Sequence, residues 1–227
     1  LLWEVKRVLS ELKLLKRLPK YLLMENVKNL FSSNHVDGWN IFASFLESLG
    51  YKNSIMVLNA KEFGIPQNRN RVYTVSILGT KKFNFDKLIR VETKNISEFL
   101  EDTKEEKYIV AQPSMLKKIP CSEKFIKNNY GFLKIIKDSC LTITTKQMRC
   151  PNAGIIKLDD NRYRYLTERE CWRLMGFEDI DYENALREHK GTQGKLNGTL
   201  YKQAGNSIVV QVLEAIFREL LEVGRVE

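Results

Sequence analysis

Apolar residues recur at helical spacing near the start of the chain, and short apolar runs follow. Between residues 1 and 18 the apolar side chains lie three or four positions apart among charges, which predicts a helix that ends before Pro19. Residues 21–24 form a continuous apolar run, as in a strand that is buried on both faces. Residues 39–49 predict a second amphipathic helix, which ends at Gly50.

Two further apolar runs, residues 54–58 and 72–78, predict two more strands. The order of strand, helix and strand indicates an α/β unit, and we expect its sheet to be mostly parallel. Residues 80–164 are rich in lysine and carry turn signals at prolines, which is typical of a separate, smaller lobe.

The C-terminal part of the sequence predicts two more helices. Thr167 stands three residues before Glu170, which predicts a capping box at the start of a short helix that ends at Gly176. A last helix is predicted from about residue 207 to residue 221. It has the length and the apolar content to return to the first α/β unit.

The charge of the chain adds a hint about partners. The 37 lysine and arginine residues outnumber the 28 aspartate and glutamate residues, which gives a formal net charge of +9. This excess favours a polyanionic partner such as nucleic acid, although a soluble protein from a lysine-rich proteome has the same composition. No apolar run approaches the roughly 18–20 residues of a membrane span, and the amphipathic start does not resemble a signal peptide.

The cysteines do not predict a metal site or a disulfide framework. They are Cys121, Cys140, Cys150 and Cys171, and no two of them have C-x-x-C spacing. Only two histidines could assist them in binding zinc, and four cysteines are few for a chain of 227 residues. We therefore expect no metal, no disulfide framework and a reducing cytoplasm.

Three short motifs could carry chemistry. Glu25 and Asn26 follow a predicted buried strand, where open α/β sheets bind ligands, although Glu25 could equally be an ordinary acid between strand and loop. In an extended chain Arg69 and Arg71 point to the same face, roughly 7 Å apart. The two guanidinium groups could bind phosphate oxygens or the carbonyl edge of a base, or they could belong to a solvated basic loop. Residues 205–207 precede the last predicted helix and could either cap it or present polar atoms to a small ligand.

Taken together, these pieces resemble one family. The segments LLMENV (residues 22–27), QNRNR (67–71), YLTERECWRLMGF (165–177) and QAGNSIV (203–209) occur in this order. They resemble the Glu-Asn-Val, Gln-x-Arg-x-Arg, Leu-Thr-x-Arg-Glu and Gly-Asn-Ser motifs of the DNA (cytosine-5) methyltransferase family. The resemblance covers nearly the whole chain except the lysine-rich lobe, and its third segment is the most specific.

The resemblance implies a fold and a function. The fold is α/β, the C-terminal part of a Rossmann-like S-adenosylmethionine-dependent methyltransferase fold plus a smaller target-recognition domain. The catalytic-domain portion would be residues 1–79, to which residues 203–227 return, and the target-recognition domain would be residues 80–202. The implied function is sequence-specific methylation of double-stranded DNA in a restriction-modification system, in a bacterial cytoplasm near the nucleoid.

Three alternatives stay open. The chain could be a non-catalytic DNA-binding remnant, or one subunit of a split enzyme. It could also be a tRNA cytosine-5 methyltransferase on the same fold, although the extended lysine-rich lobe favours DNA.

The resemblance also assigns roles to residues. Enzymes of this family flip a cytosine from the duplex, add a cysteine thiolate to its C6 and methylate its C5 from S-adenosylmethionine. Glu25 would bind N3 and the exocyclic amine and supply or share a proton, Arg71 would hold O2, and Arg69 would lie nearer the phosphates. The implied substrate-binding residues are Asn26, Gln67 and Thr142, and the implied cofactor-binding residues are Asn206 and Ser207. Thr142 belongs to residues 141–145, which resemble the family's threonine-rich segment that touches the DNA backbone beside the flipped base.

The sequence departs from the family pattern in one respect that matters. The family's glycine-rich cofactor loop and its Pro-Cys nucleophile motif should precede the Glu-Asn-Val motif, and neither does so in this chain. Pro120 and Cys121 form the right dipeptide inside the target-recognition region, and we interpret it as a coincidence. We expect the nucleophile to belong to a missing N-terminal half, which is a separate subunit, lost by proteolysis or absent from a decayed gene.

Overall fold

The computed structural model describes residues 2–33, 35–120, 132–159 and 161–225. The chain folds into two compact units, which it enters alternately. The first unit comprises residues 1–59, 70–90 and 212–227, and the second comprises residues 60–69 and 91–211. The boundaries of the catalytic and target-recognition domains drawn from the sequence stay a prediction.

Helices and strands follow one another along the described ranges. The helices are α1 (Leu2–Leu14), α2 (Val36–Ser48), α3 (Pro113–Leu116), α4 (Glu168–Arg173), α5 (Asp179–Glu188), α6 (Gly198–Asn206) and α7 (Val210–Arg225). The strands are β1 (Tyr21–Val27), β2 (Tyr51–Asn59), β3 (Gln67–Asn68), β4 (Asn70–Leu78), β5 (Cys140–Leu141), β6 (Ile156–Lys157) and β7 (Tyr163–Arg164). Within these ranges, no helix is long and apolar enough to cross a membrane.

The first unit is built on a three-stranded sheet with the order β1-β4-β2. The predicted parallel pairing is wrong, because β4 lies between the other two strands and runs antiparallel to both. The reason is the route of the chain. Asn59 at the end of β2 pairs with Asn70 at the start of β4, so the chain returns as a wide hairpin whose connection folds in the second unit.

One face of this sheet packs on the first two helices. Leu9 of α1 and Trp39, Phe42 and Leu46 of α2 form a buried cluster that includes Val72 of β4. Both helices were predicted from their apolar spacing, and their existence is confirmed, although α1 already ends at Leu14. Burial of these apolar side chains supplies the main driving force for folding of this unit.

The opposite face of the sheet is covered by the chain that follows β4 and by α7. Tyr73 and Val75 are almost fully buried on this face. The Ser54 hydroxyl donates a hydrogen bond to the Phe83 carbonyl, and the Lys81 ammonium donates to the carbonyl of Val223 in α7. These contacts tie three separate stretches of sequence to one sheet.

The second unit contains the predicted capping box. The Thr167 side chain accepts a hydrogen bond from the Glu170 backbone N–H, and the Glu170 side chain accepts one from the Thr167 backbone N–H. The box starts α4 as predicted. Gly176 has a φ of +87°, and a Cβ atom there would lie 1.8 Å from Oε1 of Gln211. The left-handed backbone favours glycine where the helix was predicted to end, whereas the flexible Gln211 side chain could move aside.

The predicted start of the last helix, near residue 207, is wrong. Two helices, α6 and α7, occupy this part of the chain, and Ser207 is the C-cap of α6. Asn206 and Ser207 therefore end one helix and do not begin the next. The Asn197 side chain accepts hydrogen bonds from backbone N–H groups and so starts α6 earlier, while the extended backbone of Ser207 stops it.

Candidate functional site

The register of β1 against β4 brings Glu25 and Arg71 into contact. Val27 pairs with Arg71 and Glu25 pairs with Tyr73, so Glu25 and Arg71 are diagonal neighbours on one face of the sheet. The Nε atom of Arg71 lies 2.9 Å from Oε1 of Glu25. Glu25 was expected just after the strand, but it lies within β1, because pairing with β4 continues to Val27.

This ion pair keeps much of its hydrogen-bonding capacity. The Arg71 side chain is 15% exposed and that of Glu25 is 20% exposed. Nη1 of Arg71 also donates to the Asn70 carbonyl, so the two contacts use two of the five N–H donors of the guanidinium. A carboxylate accepts from an exocyclic amine and a guanidinium donates to a ring carbonyl, so together they suit the edge of a nucleobase.

Asn26 points away from this pair. Successive side chains of a strand alternate between the two faces of a sheet, so Asn26 lies on the face opposite Glu25. Its Oδ1 accepts a hydrogen bond from the Val27 backbone N–H. Asn26 also lines a cavity of about 350 Å³ in the first unit, together with Trp3 and His35. The substrate-binding role assigned to Asn26 stays a prediction.

Gln67 is buried in the second unit, where its side chain contacts two separate parts of the chain. Its Oε1 accepts a hydrogen bond of 3.0 Å from the Ile143 backbone N–H. Its Nε2 donates over 2.8 Å to the carbonyl of Leu174, which follows α4. The side chain thus connects the threonine-rich segment to the end of the Leu-Thr-x-Arg-Glu helix.

Arg69 is only 5% exposed and also lies in the second unit. Nη1 donates to the Ile143 carbonyl over 2.9 Å, and Nη2 donates to the carbonyls of Ser207 over 2.8 Å and Gly205 over 3.4 Å. The run that was expected to place Arg69 and Arg71 on one face is interrupted, because Arg69 falls between β3 and β4. The predicted role of Arg69 near the phosphates is not tested by these contacts.

Thr142 lies directly after β5, which pairs with β3. Its hydroxyl donates to the Asn68 carbonyl over 3.0 Å, and its own carbonyl accepts from Nδ2 of Asn152 over 2.6 Å. Sequence reasoning missed Asn152. The only signal near it is a turn-like Pro-Asn-Ala-Gly run, which predicts a loop and no specific contact.

The two residues proposed for the cofactor differ in what they offer. Asn206 is exposed at the end of α6. The Ser207 hydroxyl donates to the Gln203 carbonyl, its N–H donates to the Ala204 carbonyl, and its carbonyl accepts from Arg69. The N–H group and the hydroxyl hydrogen of Ser207 are therefore engaged in ending α6 and are not presented to a ligand.

The buried cysteines are unsuited to nucleophilic attack. Burial raises the pKa of the Cys140 thiol to about 12, and it raises the pKa of the Cys171 thiol well above its ordinary value. Both thiols are therefore protonated at neutral pH, and the thiol is not the nucleophilic form. Cys150 is exposed, and Cys121 lies outside the described residues. Among the residues that the structure describes, no group of three or more His, Cys, Asp or Glu side chains could hold a metal ion.

Comparison with known proteins adds to this geometry. A family model described as C-5 cytosine-specific DNA methylase matches residues 1–222. The chain is 39% identical over 231 residues to the type II methyltransferase M2.ScrFI of Lactococcus lactis subsp. cremoris, with 98% of this chain and 58% of that protein covered. It is 33% identical over 233 residues to the orphan methyltransferase M.SssI of Spiroplasma monobiae, with 97% of this chain and 58% of that protein covered.

Solved structures show the same fold. The crystal structure of the S. pombe Dnmt2 methyltransferase superposes with a TM-score of 0.72 at 24% identity, covering 97% of this chain and 70% of that chain. This likeness confirms the methyltransferase fold expected from the motifs. The chain spans 58% of the length of M2.ScrFI and of M.SssI.

Proposed function

Because the chain belongs to the C-5 cytosine-specific DNA methylase family, we propose that it is part of an enzyme that methylates C5 of a flipped cytosine in duplex DNA. The observation that carries this proposal is the contact between Glu25 and Arg71. The family's chemistry requires a carboxylate and a guanidinium at one edge of the same ring. The relatives named as type II methyltransferases favour a restriction-modification system, and we propose that the enzyme acts on DNA near the nucleoid in a bacterial cytoplasm.

Glu25 acts where charge develops. Addition of a nucleophile at C6 of cytosine pushes electron density onto N3, so a group that holds or shares a proton at N3 stabilises the transition state. The same carboxylate accepts a hydrogen bond from the exocyclic amine. The ion pair with Arg71 fixes the orientation of the carboxylate before the base enters.

Arg71 has two tasks. Its Nε holds Glu25, and its remaining N–H donors can reach the O2 atom of the ring. O2 already carries negative charge in the ground state, so Arg71 contributes to capture of the base as well as to its reaction.

S-adenosylmethionine supplies the methyl group when it is bound. Asn206 fits a role in holding it, because its carboxamide is exposed and offers both donors and an acceptor. Ser207 fits this role less well, because its N–H and hydroxyl hydrogens are donated to the helix that it ends. We assign the cofactor contact in this part of the chain to Asn206.

The reaction also needs a cysteine nucleophile, and no cysteine precedes Glu25 in this sequence. Cys140 and Cys171 are excluded from that role by burial and by protonation of their thiols. Cys121 and Cys150 follow the Gln-x-Arg-x-Arg motif, whereas the family's nucleophile precedes the Glu-Asn-Val motif. We propose that the nucleophile is supplied by a further polypeptide portion, on the same gene product or on a separate subunit.

Methylation should accordingly require a second polypeptide portion. We expect residues 1–227 alone, with labelled S-adenosylmethionine and mixed-sequence duplex DNA, to transfer no label. A polypeptide that carries the family's glycine-rich loop and Pro-Cys motif should restore transfer. Transfer by the chain alone that Cys121→Ser abolishes would contradict this expectation and assign the nucleophile to Cys121. Failure to restore transfer, despite normal DNA binding, would favour a non-catalytic remnant.

Duplex DNA binding by the chain should weaken steeply as salt rises. Each phosphate neutralised by a lysine or arginine releases counterions, so the logarithm of affinity should fall with the logarithm of salt by about 0.9 per phosphate. Titration of a labelled duplex at several salt concentrations measures this slope. Binding that does not depend on salt, or a strong preference for a tRNA competitor, would contradict the DNA assignment.

A further inference from the structure

We infer that Gln67 and Arg69 are positioning residues, which hold the threonine-rich segment (residues 141–145) in the shape that contacts the DNA backbone. This inference rests on the proposed function, because it identifies what sets one of its DNA contacts. It also gives Arg69 a different task from a direct phosphate contact. All of the residues involved belong to the second unit.

Two side chains hold the backbone of Ile143. The segment leaves β5 after Leu141, so the peptide groups that follow need partners other than a neighbouring strand. The Ile143 N–H donates to Oε1 of Gln67, and the Ile143 carbonyl accepts from Nη1 of Arg69. Both polar groups of this one residue are therefore held by two side chains of the same short motif.

The same two side chains also bind parts of the chain outside the threonine-rich segment. Gln67 also donates to the Leu174 carbonyl, and Arg69 also donates to the Ser207 carbonyl. Gln67 and Arg69 are almost completely buried, so water does not compete strongly for these hydrogen bonds. The segment is thus tied at Ile143 to the chain after α4 and to the end of α6.

Gly205 in α6 lies against the backbone of the threonine-rich segment. A Cβ atom at this position would lie 2.3 Å from the carbonyl carbon of Thr144 and 2.3 Å from the backbone nitrogen of Thr145. Backbone atoms cannot yield as a flexible side chain can, so only glycine allows α6 to lie this close. The glycine of the Gly-Asn-Ser motif is required for packing against the threonine-rich segment.

These contacts decide what the segment presents. Thr142, Thr144 and Thr145 are half-buried, and Thr142 is fixed by the hydrogen bond from its hydroxyl to the Asn68 carbonyl. The single hydroxyl hydrogen of Thr142 is thereby used, so the hydroxyls of Thr144 and Thr145 are the ones that can donate to phosphate oxygens and fix the register of the protein on a duplex. The guanidinium of Arg69 donates to the carbonyls of Ile143, Ser207 and Gly205, which suits a task in holding the segment against the end of α6.

Amide hydrogen exchange of the free chain tests the inference without DNA. We expect Arg69→Lys, which keeps the charge but cannot bridge three carbonyls, to speed exchange in residues 141–147 by on the order of tenfold or more. Exchange in β4 should stay unchanged. The matched control is Arg162→Met, which removes an exposed charge that pairs with Asp159 in the same unit, and it should leave residues 141–147 unaffected.

Measurements of DNA affinity at several salt concentrations distinguish a positioning role of Arg69 from a direct phosphate contact. Arg69→Met should weaken duplex binding while the salt slope stays unchanged, whereas loss of a phosphate contact would lower the slope by about 0.9. Gly205→Ala removes no charge, so weaker binding at unchanged slope by this variant supports the same role. The loss from Arg69→Lys should not add to that from Thr142→Ala, because both act on one segment.

Two results would overturn the inference. One is an unchanged exchange rate in residues 141–147 of Arg69→Lys and Gly205→Ala, whatever the DNA result. The other is a slope that falls by about 0.9 in Arg69→Met. Absence of DNA binding by the unaltered chain would instead count against the proposed function, and the exchange measurement would still decide whether Gln67 and Arg69 hold the segment.

Discussion

Glu25→Gln should lower the single-turnover methylation rate of the complemented enzyme by a factor on the order of 10²–10⁴ and leave duplex binding nearly unchanged. Glutamine has the shape of glutamate, and its oxygen can still accept the hydrogen bond from Nε of Arg71. It cannot supply or share a proton at N3. The lost interaction therefore belongs to the transition state and not to the bound ground state.

Arg71→Ala is the informative comparison, because it should lower affinity and rate together. It removes the donor to O2, which is negative before the reaction starts, and it also releases Glu25 from its fixed orientation. The measurement sets single-turnover rates beside equilibrium binding for both variants. If Glu25→Gln reduced binding and rate by equal factors, Glu25 would be a positioning residue and its assignment to N3 would be lost.

Local signals in the sequence were enough to predict the helices α1, α2 and α4 and the strands β1, β2 and β4. The apolar spacing of α1 and α2 and the capping box at Thr167 depend on residues within a few positions of one another. Such patterns report local structure directly. The motifs singled out Glu25 and Arg71, and the structure brings the two together.

The features that could not be predicted depend on long-range contacts. The antiparallel position of β4 follows from a pairing between Asn59 and Asn70 across a connection that folds elsewhere. Burial of Arg69 requires partners at Ile143 and Ser207, far along the chain, and an arginine in a polar run carries no local sign of burial. The end of α6 at Ser207 depends likewise on a helix start that the polar composition of that stretch conceals.

Glu170→Ala should destabilise the second unit by about 3–5 kcal/mol, the largest stability loss that we expect from one substitution in the Leu-Thr-x-Arg-Glu helix. The Glu170 side chain is fully buried and that of Arg164 is 3% exposed. The carboxylate accepts two hydrogen bonds from Arg164 and one each from the backbone N–H groups of Thr167 and Glu101. Alanine leaves all four N–H donors, two of them on the charged guanidinium of Arg164, without the carboxylate in a dry environment.

Asp181 provides the matched control, because it occupies the same capping-box position in the exposed helix α5 without a buried arginine. Asp181→Ala should lower the free energy of unfolding by about 1 kcal/mol, which is the usual contribution of a helix cap. Urea unfolding followed by fluorescence of the buried Trp172 measures both variants. The double variant Arg164→Met with Glu170→Leu should recover much of the loss, since a buried charge pair is harmful chiefly when one partner is removed. Equal costs for Glu170→Ala and Asp181→Ala would instead mean that the pair adds nothing beyond the cap, and that the four contacts of Glu170 are offset by the desolvation of its charge.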